Sequence, residues 1–572
     1  MDKHLVAQTL EEIAILLELK GENPFKVRAY VNAARAVESM SEDLGAFVQA
    51  GTLTHVQGIG KSLAVAITEI WKTGRLEFHE ELLATTPPGY LALIRVPGIG
   101  PAKVRVLVAE LDIQNLEQLK LAGEQGRIRG LKGFGLQSEK KILQGIAVLE
   151  AGAGRYLGAE VRPLAEDLLG SLAKLSAVRQ AEVGGSLRRW METVKDVDLL
   201  VATTRPADVT KAFLALVPSA AVIGSGDTKT SVRLSTGLAV DLRLVKPKEF
   251  PFALHYFTGS VAHNIRIRSR ALDRGWSLNE YALTGTKPPP RIANEADLFG
   301  ALGLPYIEPE LREDRGEIEA AESGQLPELI QRSDIRGILH CHTTYSDGHD
   351  TVYAMAEAAD AWGADYLGIS DHSLTASYAR GLSEDDLERQ QEEIDRWNSG
   401  PKRLRILKGA EVDILPDGTL DYPEHVLARL DFVIASVHTH FSMDEAAMTA
   451  RIVRALRNPY VNILAHPTGR RLLERDGYRV RFEAIYEAAA AENVVIELNA
   501  TPRRLELDWR ELRPAKDRGV RFAINPDAHA TAEYLNLRYG IGAARKGWLR
   551  KGEVINTLSY EEILAFFRSR RR

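Results

Sequence analysis

The chain has 572 residues, 45% hydrophobic and 26% charged, which excludes a disordered polymer and is too long for a single core, so several soluble globular domains are expected. Its 73 basic and 78 acidic side chains leave a net charge of −5, so any grip on nucleic acid has to come from local basic faces or backbone donors. One cysteine excludes an internal disulfide and fits a reducing cytoplasm, no apolar run is long enough to span a bilayer, and the opening MDKHLVAQTLEEIAILLELKGENPF lacks signal-peptide architecture.

The first third repeats one pattern three times: HVQGIGKSLAVAI around Gly58, RVPGIGPAKVRVL around Gly98 and GLKGFGLQSEKKIL around Gly133. In each, a pair of glycines precedes a helical pattern, which allows a tight turn and leaves backbone N–H groups at a helix N-terminus where a phosphate can sit. A single G-x-G between helices is an ordinary turn; three in one register are stronger evidence. The pattern resembles the helix-hairpin-helix motif of DNA-binding proteins. That resemblance implies sequence-independent contact to phosphates through Gly58, Gly60, Lys61, Gly98, Gly100, Lys103, Gly133 and Gly135, with Lys140 adding charge nearby. Two such domains are expected, over residues 1–84 and 85–150.

In the middle third, VGGSLRRWMETVKDVDLLVA (183–202) begins with a glycine turn and ends in a strand, where Asp196 and Asp198, two apart, point to one face. In GLAVDLRLV (237–245), Leu238, Val240, Leu242 and Leu244 face a core and Asp241 faces the other way. Carboxylates on two such strands are either solvated or a site for two magnesium ions about 4 Å apart. After YFTGS, Asn264 and Arg268 share one helical face, while Arg266, Arg270 and Arg274 form another, expected to be solvated or to contact backbone.

GGSLRR, DVD, VDLRL and YFTGSVAHNIRIRSRALDRGWSLNEYAL together resemble DNA polymerase family X, the family of DNA polymerase beta. The likeness covers about residues 1–310. It implies a palm nucleotidyltransferase domain over 151–248 and a nucleotide-selection subdomain over 249–310. It further implies that Asp196, Asp198 and Asp241 hold Mg²⁺ or Mn²⁺ as catalytic residues. Gly185, Ser186 and Arg189 would hold the triphosphate, and Tyr256, Phe257 and Gly259 would line the sugar pocket. Asn264 would meet the incoming nucleotide and Arg268 the template strand. Ala66 stands where family members with 5′-deoxyribose-phosphate lyase activity carry a lysine, which puts that activity in doubt unless Lys61 substitutes. Trp190 and Lys195 stand where the animal enzyme has small residues and are expected to alter the nucleotide pocket.

Residues 311–333 are charged and poor in large apolar residues, and are expected to form a linker over the surface. Beyond them, IRGIL, YLGIS, LRILKG, FVIASV, VNILA, VVIEL and RFAIN alternate with helical patterns, which suggests a seven-stranded parallel β/α barrel with its site at the C-terminal strand ends. Those ends carry His340, His342, Asp347, His372 after Asp371, Glu411, His438, His466, Asp527 and His529. The mixed imidazole and carboxylate set suits two or three zinc, manganese or iron ions. His349, His440 and Cys341 are left with structural or supporting roles.

HCHTTYSDG, SDH, GAEVDI, SVHTH, AHPTGR and PDAH resemble the PHP domain, over about residues 334–572. The resemblance implies a distorted barrel that hydrolyses phosphate esters and, when fused to a family X polymerase, a Mn²⁺-dependent 3′→5′ exonuclease.

The fold class expected is therefore multidomain α+β and α/β. The function expected is templated filling of short gaps in repair such as base excision, with 3′ ends trimmed by the barrel. Gapped or primer-template DNA and deoxynucleoside triphosphates would be its partners, with no membrane, as a cytoplasmic monomer. Three alternatives compete: a template-independent nucleotidyltransferase, a non-catalytic DNA-binding scaffold with a metal-sensing barrel, and a small-molecule phosphatase in the C-terminal half.

Overall fold

The computed structural model describes residues 3–38, 40, 44–94, 96, 98–152 and 154–571. It separates into two compact units, Met1–Ala153 and Gly154–Arg572. The first unit thus takes in both expected hairpin domains, and the second takes in everything after them.

The first unit is helical. Leu10, Ile13, Ile67, Ile70, Leu107, Leu119, Ile142 and Ile146 belong to one core, so its two halves share a single apolar interior. Each repeat forms the same hairpin. Gly58, Gly98 and Gly133 take left-handed backbone (φ +93°, +84° and +86°). The apolar residue after each, Ile59, Ile99 or Phe134, is buried. Gly60 and Gly100 then cap the helices Lys61–Thr73 and Pro101–Leu111. At the third hairpin the Glu139 N–H closes on the Gly135 carbonyl at 2.9 Å at the start of Leu136–Gly152.

The second unit opens with a five-stranded sheet in the order Val178–Val183, Asp196–Thr203, Ala239–Val245, Lys229–Arg233, Ala221–Ser225. Its central pair runs parallel, with Val197, Leu199 and Val201 opposite Val240, Leu242 and Leu244. That face is apolar and is covered by the helices Gly158–Ala173 and Pro206–Leu216. On the other face Leu200 and Ala202 pack against Phe250, Ala253 and Leu254, which leaves the acidic start of the strand uncovered.

Residues 311–333 do not wrap the surface. Leu311, Ile318, Ala321 and Leu329 enter a core with Ile267, Phe299 and Trp548. Their charged neighbours are paired: the fully buried Arg312 binds Glu295 at 2.6 Å, and Glu317 meets His263 at 2.8 Å. On the second arginine face, Arg270 Nε donates to the Leu302 backbone carbonyl at 2.7 Å and Arg266 is exposed, and the two also pair with Glu322 and Glu319 of the helix Glu317–Glu322.

The C-terminal part is a seven-stranded parallel sheet in strict chain order, from Gly337–Cys341 to Phe522–Asn525. Cys341 bridges to Ala528, which brings the two ends of the sheet together into a nearly closed barrel. Leu339, Phe432, Ile434 and Ile463 fill its interior against Phe566 and Phe567 of the helix Tyr560–Arg568.

Trp190 does not border a nucleotide pocket. It is gripped between the Arg162 guanidinium, 3.7 Å from its ring, and Gly542 of the helix Leu537–Lys546, where a Cβ would lie 2.1 Å from the indole. Glu192 ties the same junction by accepting from Trp509 Nε1 at 3.0 Å and Arg510 Nη1 at 2.9 Å. Lys195 is exposed. Gly542→Ala is predicted to destabilise the second unit by about 1–3 kcal/mol through overpacking against a rigid ring, read as a lowered denaturant midpoint.

Candidate active sites

The pleat of the five-stranded sheet puts Asp198 directly opposite Asp241 on neighbouring strands, on the face away from the helices, with Asp196 exposed two residues earlier. Cationic side chains lie on these acids. Arg243 Nε lies 3.3 Å from Asp198, Lys229 Nζ lies 2.6 Å from Asp241, and the Ser231 hydroxyl donates to Asp241 at 2.7 Å. Burial pushes the Asp198 carboxyl up; Arg243 opposes this and the neighbouring Asp196 and Asp241 reinforce it. Carboxylate oxygens are hard donors of the kind that a divalent cation of the magnesium type takes.

The glycine turn is needed for close approach. A Cβ on Gly184 would lie 3.2 Å from Asp198 Cβ, and one on Gly185 (φ +62°) would lie 2.7 Å from Asp198 Oδ2. Ser186 follows it in the short helix Gly185–Arg188. Alongside runs a cavity of about 250 Å³ lined by Arg189, Tyr256, Phe257, Gly259, Asn264 and Arg268, six of the eight residues expected to bind nucleotide. Asn264 Nδ2 donates to the Tyr256 carbonyl at 2.7 Å, and its buried Oδ1 has no partner. The Arg243 guanidinium lies 4.0 Å over the Phe257 ring and so joins this cavity to the acidic face.

The barrel rim brings all nine expected side chains into one polar cluster. Three groups have ligand atoms within 4.8 Å of one another: His342, Asp347, His372 and His529; His340, His342 and Asp527; and His372, Glu411 and His438. His466 stands outside these groups, but its Nε2 is 2.7 Å from Glu411. Among the described residues all groups of this kind lie on the barrel, and Asp196, Asp198 and Asp241 are not drawn together as closely. Lys229 and Arg243 pair with Asp241 and Asp198, and Asp196 is exposed.

Ring nitrogens of His340, His342, His372 and His466 are buried without a hydrogen-bond partner. Such orphans carry a desolvation cost that metal coordination removes. His340, His466 and Asp527 also have left-handed backbone, at φ +59°, +25° and +50°, a costly conformation for non-glycine residues that concentrates at functional sites. Burial alone would push the Glu411 carboxyl up, but His438, His372 and His340 hold it well below the usual range. Burial would lower His438 and His529, yet Glu411 and Asp413 raise the first to about 10, and Asp347 and Asp527 raise the second to about 9.

Several supporting residues were missed in the sequence. Glu497, fully buried, accepts from His340 Nδ1 at 2.5 Å and from the His466 N–H at 2.9 Å. Asp413 does the same for His438 Nδ1 at 2.5 Å. The Asp371 carboxylate takes the Thr343 N–H and hydroxyl, both at 2.7 Å, and so fixes the loop that carries Asp347. An acid within the fully buried strand Val495–Asn499 was the available signal for Glu497. Of the three side chains left over, Cys341 is buried, His349 contributes its backbone N–H to the His529 carbonyl at 2.7 Å, and His440 is exposed.

In the first unit, all six hairpin glycines are exposed, as are Lys61 and Lys140. A Cβ on Gly60, Gly100 or Gly135 would meet nothing within 4 Å, so the fold leaves open space around the backbone there. Lys103 Nζ is turned back onto the Gly98 carbonyl at 2.7 Å. Ala66 is buried in the helix Lys61–Thr73.

Family models match in the same order along the chain. A helix-hairpin-helix domain matches residues 1–76, a SAM-like helix-hairpin-helix tandem 90–147, the DNA polymerase beta thumb 253–313 and the PHP domain 339–501. The chain is 40% identical over 573 residues to the DNA polymerase/3′-5′ exonuclease PolX of Bacillus subtilis, covering 99% of this chain and 100% of that protein. A probable phosphatase of Acetivibrio thermocellus is 33% identical over 213 residues, 34% of this chain and 79% of that protein. A probable phosphatase of Caldanaerobacter subterraneus is 32% identical over 219 residues, 35% of this chain and 78% of that protein.

Because metal ligation needs neutral imidazoles, the protons that His438 and His529 hold at neutral pH have to leave when a cation binds the rim. Uptake of divalent metal by the metal-free protein is therefore predicted to release protons and to tighten as pH rises from 6 toward about 9. Calorimetry in buffers of different ionisation enthalpy measures both effects.

Proposed function

The chain belongs to the family X DNA polymerases that carry helix-hairpin-helix and PHP domains, a DNA polymerase and 3′–5′ exonuclease, and from that premise we propose that it fills short gaps during DNA repair and trims 3′ ends with its barrel. The observation that carries this reading is the pairing of Asp198 with Asp241 beside the cavity lined by Arg189, Tyr256, Phe257, Gly259, Asn264 and Arg268.

In the synthetic site, Asp196, Asp198 and Asp241 would hold Mg²⁺ or Mn²⁺, which supplies positive charge at the reacting phosphates and primer 3′-hydroxyl. Gly185, Ser186 and Arg189 would receive the triphosphate, the guanidinium serving as a planar, permanently charged donor. Tyr256 and Phe257, packed edge to face at 5.1 Å between ring centres, would form the wall against the sugar. The unpartnered Asn264 Oδ1 would accept from the incoming nucleotide, and the exposed Arg268 would meet the template strand.

In the barrel, His340, His342, Asp347, His372, Glu411, His438, His466, Asp527 and His529 would hold two or three manganese, zinc or iron ions, which supply an acidified water and a Lewis acid for the phosphodiester. Glu497 and Asp413 would fix the tautomers of His340 and His438. The phosphatases similar to the barrel raise a phosphomonoester as a rival substrate, and competition between such an ester and single-stranded DNA discriminates the two. Gly58, Gly60, Lys61, Gly98, Gly100, Lys103, Gly133 and Gly135 would grip phosphates through backbone N–H groups and nearby charge. Among the described residues no helix is long and apolar enough to cross a membrane; a monomer in the cytoplasm is the setting we assign.

One labelled, gapped duplex incubated in Mn²⁺ with and without nucleotides reads both activities. Asp196→Ala is expected to lower extension at least about a hundredfold and leave degradation intact, and His340→Ala the converse, since even partners of metal ligands cost that much. Loss of both activities in either variant refutes independent sites. Gly60→Ala and Gly100→Ala are expected to cost no more than about 1 kcal/mol of stability while weakening DNA binding about tenfold, measured by melting and by anisotropy on the same preparations.

A further inference from the structure

Arg189 lines the nucleotide cavity, yet it is held from behind. Its Nε donates to Glu313 Oε1 at 2.9 Å and its Nη1 to the Thr258 carbonyl at 2.5 Å, which fixes the plane of the guanidinium. The same Glu313 oxygen accepts from Lys546 Nζ at 2.5 Å, and that ammonium also donates to the Arg189 carbonyl at 3.1 Å. Lys546 is the last residue of the barrel helix Leu537–Lys546, its side chain is 0% exposed, and its ammonium lies 4.4 Å over the Trp509 ring. A lysine withdrawn from water to this degree stands only with charge partners. The partner it has is the carboxylate that orients the polymerase arginine.

We propose that Lys546, on a helix packed against the barrel, is a positioning residue for nucleotide addition: through Glu313 it fixes Arg189 and leaves that arginine's positive charge available to the incoming triphosphate. Arg189, Glu313 and Lys546 together carry one net positive charge. Without Lys546, Glu313 has Arg189 as its counter-ion, the pair is neutral, and a triphosphate has to compete with a half-buried carboxylate for the same guanidinium. The inference rests on the reading of Arg189 as a triphosphate contact.

Primer extension on a gapped duplex at varied nucleotide concentration tests it in the full chain, with exonuclease activity on single-stranded DNA measured for each preparation. Lys546→Met, which keeps the packing against Trp509, is expected to raise KM for nucleotide about tenfold with kcat and exonuclease rate within about twofold, the size of one charge-assisted contact. Lys546→Arg restores KM. In a Glu313→Gln background Lys546→Met has no further effect on KM, since the bridging carboxylate is gone. Where Lys546→Met yields no folded protein, Lys546→Gln is judged by the same criteria. An unchanged KM in the Lys546 variant while Arg189→Met raises it overturns the inference and spares the reading of Arg189. An unchanged KM in both overturns that reading as well. A parallel fall of extension and exonuclease activity in the Lys546 variant assigns it a merely structural role and also overturns the inference.

Discussion

A carboxylate withdrawn from water has to be met by positive charge or by donors, and that requirement organises the second unit from end to end. Glu411 is the extreme case. It is 1% exposed; His466 Nε2 and His438 Nε2 lie 2.7 and 3.3 Å from it, and the unpaired ring nitrogens of His340, His342 and His372 face it at 3.0 to 3.6 Å. Those imidazoles are in turn aimed by acids behind them, Glu497 on His340 and Asp413 on His438. Removing one partner from such a buried set costs about 3–5 kcal/mol, so the cluster resists piecemeal change. It also keeps the left-handed backbone at His340, His466 and Asp527 in place, because each side chain is held by contacts its neighbours supply.

The same requirement makes the junctions within the second unit specific. Glu295 lies between Arg188 and Arg312, Glu317 meets His263, and Glu313 joins Arg189 to Lys546. Burial pushes the Glu295 carboxyl up, but the two arginines hold it at about 2. Desolvated pairs of this kind contribute little net stability against an apolar filling, yet they admit one arrangement of partners. Trp190 against Gly542 supplies the close packing, and the charge pairs fix the register around it.

Legibility in the sequence followed the range of the interaction. Most barrel strands were readable because they are short apolar runs ending at a polar residue, even the fifth, which shrinks to Ile463–Leu464; the third runs on through Glu411 to Asp413. The hairpins were readable because their logic is contained in three residues: a left-handed glycine, a buried apolar side chain and an open cap. Asp196 and Asp198 could be placed on one face, and Asp241 away from the core of its own strand, because alternation in a strand is local; the register that sets Asp198 opposite Asp241 is not. What escaped depended on partners far along the chain. The density of charge in residues 311–333 suggested solvation, whereas Arg312, Glu313 and Glu317 each have a buried counterpart contributed by another segment. Trp190 was placed beside the nucleotide from its neighbours in the motif, and nothing nearby announces Gly542. Glu497 hid in an apolar strand, where an acid draws less attention than histidines at a strand end.

The only thiol in the chain sits at the seam where the barrel closes, bridging to Ala528 with no exposed surface and with its ionisation suppressed by burial. An alkylating reagent therefore finds no sulfur to modify in the native protein, and each molecule that reacts has first parted that seam. The rate of labelling becomes an internal clock for opening of the nuclease domain, and the protein needs no engineered probe to carry it.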